Sequence, residues 1–281
     1  MPITSAVNEE TKRATATIIK QLSTGELIIP AFPETITSFN DALASQQSMK
    51  DIAAIIASDM AIGLATLKTA NAAMFCAGRV PCETIEDAVK RLGLKKLKEI
   101  VTSIGIRSVY QSQLNNHPDL NEQFRYYWRL SQQMAKLAVC FGNQATLNNP
   151  DIIVERVQAK ALCYYVGAIP IIRYFAQEKQ KGNFHARAIT NPVIELLRPK
   201  LGRHMIQRWG LSKGYQEDLL YIESPSFELV EQAQERHCLL AAKNTHEPQA
   251  NLNTIDYLEQ VGFSFDNIDL NTTELGLDLD E

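Results

Sequence analysis

The feature that most constrains this chain is the spacing of its apolar residues. They recur at intervals of three and four positions along almost the whole sequence, and the alternation typical of a strand is scarce. Leu97, Val101 and Ile104, for example, share one face of a helix. Hydrophobic residues make up 45% of the 281 positions, which is enough to build a core. The sequence therefore predicts an all-α fold.

Capping patterns predict where the helices begin and end. Ser48, Asp59 and Thr84 precede apolar helical segments, and their side chains can accept hydrogen bonds from the first free backbone N–H groups. Gly93 suits a helix end, because glycine adopts the left-handed conformation without strain. Further helix starts are predicted at Asp151, at Asn191 with Pro192, at Ser212 and at Pro225.

Cysteine usage and the N-terminus bear on the compartment. The number of cysteines is odd, no CxxC occurs, and the spacings are wide, which favours free thiols in a reducing compartment. The first residues lack an apolar signal core, and no apolar run approaches the roughly 20 residues of a membrane span. We therefore expect a cytoplasmic protein without a membrane partner. The cysteines are Cys76, Cys82, Cys140, Cys163 and Cys238.

The net charge of -4 conceals an asymmetry between the body and the end of the chain. Residues 244–281 contain nine acids and no Lys or Arg, whereas the first 243 residues carry 28 cations and 23 acids, a net charge of +5. An acidic segment of this kind is either a solvated tail or a competitor for a basic face. Leucines alternate with its acids, so we hypothesise that it docks on the helical region 84–107.

Four segments carry an ordered set of motifs. The first is SMKDIAAIIASDMAIGLATLKTANAAMF, which contains Asn71, and the second is TIEDAVKRLGLKKLKEIVTSIGIRSVY. The third pairs Trp128 and Ser131 with ALCYYVG at 161–167, and the fourth is GRHMIQRWGL. In this order the segments resemble the HDOD family, the HD-related output domains of bacteria, over about residues 20–223.

The resemblance implies an HDOD-type helical bundle packed on an HD-like helical bundle. We expect the N-terminal bundle of the HDOD unit at 1–112 and a degenerate HD-like bundle at 113–245. An acidic C-terminal tail at 246–281 follows. The polar stretch QSQLNNHPD at 111–119 marks the boundary between the bundles.

The resemblance also implies an ancestral chemistry, since the wider HD superfamily hydrolyses phosphoesters with a divalent metal held by His and Asp. Leucine has no lone pair, and phenols are poor substitutes for imidazole and carboxylate as metal ligands. We therefore predict no catalytic residue, no metal site and no cofactor. The positions that align with the lost ligands are Leu130, Tyr164, Tyr165, Arg198, Ile222 and Glu223.

The space of the lost metal site has two interpretations. The tyrosines fill it as core residues, which close packing favours, or they line a remodelled ligand groove between the bundles. The candidate groove residues are Trp128, Tyr164, Tyr165, Arg198 and His204. The histidines 117, 185, 204, 237 and 246 lack metal-ligand spacing and are interpreted as surface or locally hydrogen-bonded residues.

A cluster of cations surrounds the helix–Gly–helix junction at Gly93. It suits an anionic partner, either nucleic acid or the acidic tail, although a solvated helix face is the simpler interpretation. Few side chains in this region could read base edges. The cluster consists of Lys90, Arg91, Lys95, Lys96 and Lys98.

These observations favour a binding function over catalysis. The predicted function is a non-catalytic signal-output or regulatory protein of a bacterial signalling pathway, which binds a protein partner or a small molecule. One alternative is an HD-type metal-dependent phosphohydrolase with an atypical site, and another is a nucleic-acid-binding regulator that uses the basic 90–98 region. P-loop, GxSxG and dinucleotide-binding motifs are absent from the sequence.

Overall fold

A computed structural model describes the protein at residues 2–72, 75, 78–116, 120–228, 230–247, 252–266 and 268. All the regular elements in these ranges are helices, so the all-α prediction is confirmed. The first six α-helices are α1 (Pro2–Thr24), α2 (Glu34–Ala44), α3 (Met49–Ala57), α4 (Met60–Asn71), α5 (Ile85–Asn116) and α6 (Asn121–Thr146).

The remaining helices continue the chain without a strand in the described ranges. A single turn of 3-10 helix separates two of them at Cys163–Tyr165. They are α7 (Val154–Leu162), α8 (Ala168–Gln180), α9 (Arg187–Arg208), α10 (Lys213–Glu223), α11 (Glu235–His246) and α12 (Leu252–Gln260).

The capping predictions for α3, α4 and α5 are confirmed. The Ser48 hydroxyl accepts the Asp51 N–H at 3.2 Å, and the Asp59 carboxylate accepts the Ile62 N–H at 3.1 Å. Gly93 interrupts α5 with a φ of 70°, a left-handed conformation that residues with a Cβ rarely adopt. Local side chains therefore set these boundaries, as the sequence predicted.

Three predicted helix starts are wrong. Helix α9 already begins at Arg187, so Pro192 lies inside it. Helix α11 begins at Glu235 behind a capping box, rather than at Pro225. Helix α7 begins at Val154 rather than after Asp151, because the Ile153 N–H donates to the distant Glu235 carboxylate at 3.3 Å. A carboxylate from a distant part of the chain thus replaces the local cap.

Helix α6 is the centre of the packing. Helices α7 and α11 pack on it, while α3 and α4 pack on α5, which in turn packs on α7. Helix α1 packs on α9. Beyond α9, Trp209 stacks on Phe32 with ring centroids 4.8 Å apart and donates its indole N–H to the Pro30 carbonyl at 2.9 Å.

Other predictions concern the domain boundaries and the cysteines. The bounds 1–112, 113–245 and 246–281 stay predictions, and residues 117–119 of the predicted boundary lie outside the described residues, as does most of 267–281. Cys82, Cys140, Cys163 and Cys238 form no disulfide, as predicted, and Cys76 lies outside the described residues. Among the described helices, none alone combines the length and apolarity of a membrane span; α3 and α4 reach that composition only together, bent by 120°.

Candidate functional site

The residues that align with the lost paired ligands come together with Arg198. Tyr164 and Tyr165 lie in the 3-10 turn between α7 and α8, and Arg198 of α9 lies against it. The guanidinium carbon is 4.2 Å from the Tyr164 ring centroid and 4.6 Å from the Tyr165 ring centroid. The two rings meet edge to face at 4.8 Å. Arg198 therefore makes a cation–π contact with both tyrosines.

Hydrogen bonds fix this arrangement from both sides. The Arg198 side chain donates to the Tyr164 carbonyl oxygen at 3.0 Å and to the Tyr164 hydroxyl at 3.4 Å. Both tyrosine hydroxyls donate to one carboxylate oxygen of Glu247, at 2.9 Å from Tyr164 and 3.4 Å from Tyr165. We call Arg198, Tyr164, Tyr165 and Glu247 the arginine–tyrosine cluster. Its charges are one buried cation and one carboxylate joined through two phenols.

The chemistry of the arginine–tyrosine cluster does not fit a divalent metal. Burial raises the pKa of Tyr164 and of Tyr165 well above 10, so both phenols keep their protons at neutral pH. The Arg198 guanidinium is a permanent cation that would repel a metal ion. In the part of the chain that the structure describes, no group of three His, Cys, Asp or Glu side chains could hold a metal ion.

The space between the tyrosine turn and α9 is nearly filled. The cavity that borders Cys163, Tyr164 and Gly202 has a volume of about 10 Å³, which holds at most about one water molecule. Tyr164, Tyr165 and Arg198 are each 4% exposed. The tyrosines thus occupy core space together with an arginine, and their hydroxyls remain hydrogen-bonded.

The other positions that the resemblance aligns with metal ligands are Leu130, Ile222 and Glu223. Leu130 is half-buried and packs against the core. Ile222 and Glu223 end α10 and meet Lys243 of α11, whose ammonium donates to the Ile222 carbonyl at 2.8 Å and lies 3.8 Å from the Glu223 carboxylate. A cavity of about 390 Å³ opens here, and Glu223, Lys243 and Glu247 contribute to its wall.

The predicted groove residues do not line one open groove. Trp128 is 2% exposed and packs on Tyr110 with ring centroids 5.0 Å apart. His204 follows Arg198 by six residues on α9, which turns it to a different face, and burial together with Arg208 lowers its pKa. A separate cavity of about 440 Å³ lies between α6 and α9, where Tyr126 and Tyr127 form part of the wall.

The predicted basic cluster is largely engaged in contacts within the chain. Lys90 pairs with Glu86 at 2.7 Å, and Lys96 pairs with Glu155 at 2.9 Å. Arg91 donates to the Asn71 side chain at 3.1 Å and also to the carbonyls of Ala70 and Val80. Lys95 is exposed, and Lys98 is half-buried.

Asn71, which is part of the family resemblance, holds the loop before α5. Its amide donates to the Cys82 carbonyl at 2.9 Å and accepts the Cys82 N–H at 2.7 Å. Arg91 binds the same amide oxygen. This residue therefore has a structural role at the joint between α4 and α5.

Sequence reasoning missed the residues that come from the end of α11 and from Glu247, which directly follows it. Glu247 was counted as the first acid of the tail, yet it is the carboxylate of the arginine–tyrosine cluster. Lys243 lies 6.0 Å from the Tyr164 ring centroid, and the His246 ring lies 5.9 Å from the Tyr165 ring. These residues are about 80 positions from the tyrosines, and no local pattern connects them.

A buried ionic network beside the site was also missed. The Lys160 ammonium, 5% exposed, lies 2.6 Å from both the Asp218 and the Glu235 carboxylates. Tyr215 donates its hydroxyl to Glu99, which is 5% exposed. The network connects α5, α7, α10 and α11.

The family follows from a direct comparison. An HDOD domain model matches residues 29–225, which is more than half of the chain. The chain belongs to the HDOD family. A curated relative of this HDOD protein, an uncharacterized protein of Treponema pallidum (strain Nichols), is 27% identical over 187 residues, or 65% of this chain. The chain spans about a third of that relative's length, since the match covers 35% of it.

Solved structures show the same fold. A Shewanella amazonensis protein named "putative metal-dependent phosphohydrolase" superposes with a TM-score of 0.79 at 20% identity, over 96% of this chain and 95% of the other. An HDOD domain protein with unknown function from Geobacter sulfurreducens superposes with a TM-score of 0.56 at 17% identity, over 89% of this chain and 90% of the other. The predicted HDOD-type and HD-like helical architecture is therefore confirmed.

Proposed function

We propose that this HDOD protein is a non-catalytic regulator that acts by binding a protein partner in a bacterial cytoplasmic signalling pathway. The observation that supports the proposal is the contact of Arg198 with both tyrosine rings, where the resemblance places metal ligands. A permanent cation and two neutral phenols cannot bind a water molecule and lower its pKa as a bound metal would. The helical fold of the family is retained, while the position predicted for the metal is packed with side chains.

Two open surfaces beside the arginine–tyrosine cluster support binding. The cavity of about 390 Å³ borders Glu247, and the cavity of about 440 Å³ borders Tyr127, whose ring centroid lies 6.2 Å from that of Tyr165. Each carries an exposed aromatic side chain, Phe227 at 44% exposure and Tyr126 at 49%. Aromatic residues on a rim of mixed charge are typical of protein interfaces.

Metal content and turnover test the catalytic part of the proposal. The full-length protein is incubated with Mn²⁺, passed through a desalting column and measured for bound metal and for hydrolysis of bis(p-nitrophenyl) phosphate. We expect less than one-tenth of an equivalent of metal, an order-of-magnitude threshold for an unfilled site, and no hydrolysis above the protein-free rate. One equivalent of retained metal with hydrolysis that EDTA abolishes would establish the phosphohydrolase alternative instead.

Site-specific photo-crosslinking in cells tests the binding part. A photo-crosslinking phenylalanine analogue replaces Phe227 or Tyr126, and the matched control replaces Leu147, which is 84% exposed elsewhere on the surface. We expect a discrete crosslinked protein from Phe227 or Tyr126 and none from Leu147. The same products from all three positions, or none at all, would refute the proposal.

The nucleic-acid alternative is tested separately. Three of the five cations at 90–98 have partners within the chain, so we expect no gel shift of duplex DNA at physiological salt. A salt-sensitive shift that disappears when Lys95 and Lys98 are both replaced by Ala would establish nucleic-acid binding.

A further inference from the structure

Helix α4 presents apolar side chains to solvent. Met60 is 77% exposed and Leu64 is 60% exposed, and the two lie one helical turn apart on the same face. The opposite face is buried, since a methyl group on Gly63 would contact Ile85 of α5 at 3.5 Å. Val80, in the loop after α4, is 79% exposed. We call Met60, Leu64 and Val80 the α4 face; Val80 lies towards its C-terminal end, since Arg91 donates to the carbonyls of both Val80 and Ala70. Exposed apolar side chains on one surface mark a candidate interaction site.

Cations border the C-terminal end of the α4 face. Arg91 donates to the Val80 carbonyl and to the Ala70 carbonyl, which places a guanidinium beside the exposed valine. Lys68 follows Leu64 by one turn on the same helix and is exposed, and Lys95, just after the break at Gly93, is exposed as well. Of the nearby acids, Asp59 caps the N-terminal end of α4, the Asp87 carboxylate accepts a hydrogen bond from the Thr84 hydroxyl, and Glu86 pairs with Lys90. The surface is therefore apolar with a positive border.

The sequence of residues 269–281 has the complementary composition. It is DLNTTELGLDLDE, with four leucines, five acids and no Lys or Arg. Four leucines in 13 residues are unusual for a segment that is purely solvated. Leucines suit the apolar part of the α4 face, and the acids between them suit its positive border.

The start of this segment is close enough to reach the α4 face. Phe265 packs on Phe141 of α6 with ring centroids 5.3 Å apart, and the Gln144 side chain exchanges two 3.1 Å hydrogen bonds with the Ser264 backbone. From α6 the packing passes through α7 and α5 to α4. Three interhelical spacings amount to about 30 Å, whereas 13 extended residues span about 43 Å.

We propose that residues 269–281 dock on the α4 face of their own chain and cover Met60, Leu64 and Val80. Residues 269–281 supply negative charge for the positive border, leucines for the exposed apolar side chains, and enough length to reach both. This inference goes beyond the proposed function, because the α4 face shares no residue with the arginine–tyrosine cluster. The metal and hydrolysis measurements therefore do not depend on it. The sequence predicted docking on 84–107, whereas the exposed apolar residues lie mainly on α4.

Intrachain photo-crosslinking tests the proposal in the full-length protein. A photo-crosslinking phenylalanine analogue replaces Leu277, and mass spectrometry maps the crosslinked residues after irradiation. We expect crosslinks within residues 60–68 and at Val80, on a species with the mass of one chain. The yield should fall as salt rises, because exposed charges are screened.

Two serine substitutions make the test specific. Leu64→Ser should lower the crosslink yield about tenfold, since burial of a leucine is worth about 1.5 kcal/mol or more. Leu196→Ser is the matched control, because Leu196 is 63% exposed on α9, and it should leave the yield unchanged. Crosslinks to other surfaces, a product with twice the chain's mass, or equal yields from both variants would overturn the proposal.

Discussion

A methyl group on Gly167 would lie 2.0 Å from the carbonyl oxygen of Arg198. It would also lie 2.5 Å from the backbone nitrogen of Gly202 on the same helix. The chain can therefore pass this close to α9 only where it carries no side chain. This approach brings the tyrosine-bearing turn against Arg198, so a glycine outside the arginine–tyrosine cluster sets its geometry.

Replacement of Gly167 by Ala should destabilise the protein strongly. The added methyl must push α9 away, and overpacking against backbone costs about 3 kcal/mol or more. Urea unfolding measures the change. Gly214→Ala is the control, since a methyl group on that helical glycine would have no neighbour within 4 Å. This replacement should stabilise the protein by about 0.5–1 kcal/mol. Equal unfolding midpoints for the two variants would contradict this account of the approach.

Replacement of Arg198 by Ala should cost about 3 kcal/mol. The change removes the cation from both tyrosine rings, leaves the Tyr164 carbonyl without its donor and creates a cavity. The exposed Arg208 lies on the same helix, and Arg208→Ala should change stability by less than about 0.5 kcal/mol. Thermal unfolding compares them, and a stable Arg198→Ala protein would show that the arginine–tyrosine cluster contributes little to the fold.

His237 should make the protein sensitive to mild acid. Its side chain is 0% exposed, and burial, aided by Arg236, lowers its pKa from 6.5 to about 4. Nδ1 accepts the Gln234 N–H at 3.0 Å, so it must be unprotonated, and Nε2 lies 3.3 Å from the Tyr257 hydroxyl. Below pH 6.5 the unfolded chain takes up a proton that the folded chain refuses, so stability is lost as pH falls towards 4.

The expected loss from His237 alone is about 2 kcal/mol by about pH 5. Unfolding free energies of the wild type and of His237→Gln, measured at about pH 7.5 and about pH 5, isolate this contribution. The wild type should lose about 2 kcal/mol more than the variant over this interval. Parallel pH profiles would mean that the folded protein protonates His237 as readily as the unfolded chain.

Glu99 should have the opposite pH dependence. Burial raises its pKa above 4.5, although the hydrogen bond from Tyr215 acts in the other direction. The folded chain then holds a proton that the unfolded chain releases, so the contribution of Glu99 is greatest below pH 4.5 and declines as pH rises. The Glu99→Gln variant lacks this decline. Its free energy of unfolding in urea titrations should therefore rise relative to that of the wild type between pH 4.5 and neutrality. A constant difference across that range would contradict the prediction.

Some features of this structure can be predicted from residues that are close together in the sequence. Ser48 and Asp59 each cap a helix through a backbone N–H three residues away, and Gly93 breaks α5 through its own φ. Asn71 and the motif order identify the HDOD family, because such motifs are read directly from the chain. That tyrosine and arginine replace imidazole and carboxylate stays a prediction from the family resemblance.

Tertiary structure decided how those replacements interact. The resemblance predicted that Tyr164, Tyr165 and Arg198 take the positions of metal ligands, but only the fold, with its close approach at Gly167, brings the guanidinium against both rings. Lys243 of α11 and Glu247, which directly follows that helix, join the site, and Glu235 caps α7 from about 80 residues away. Sequence patterns report contacts within a few residues, because backbone geometry fixes those spacings. Contacts between distant helices depend on how whole apolar faces pack, so only the folded chain reveals them.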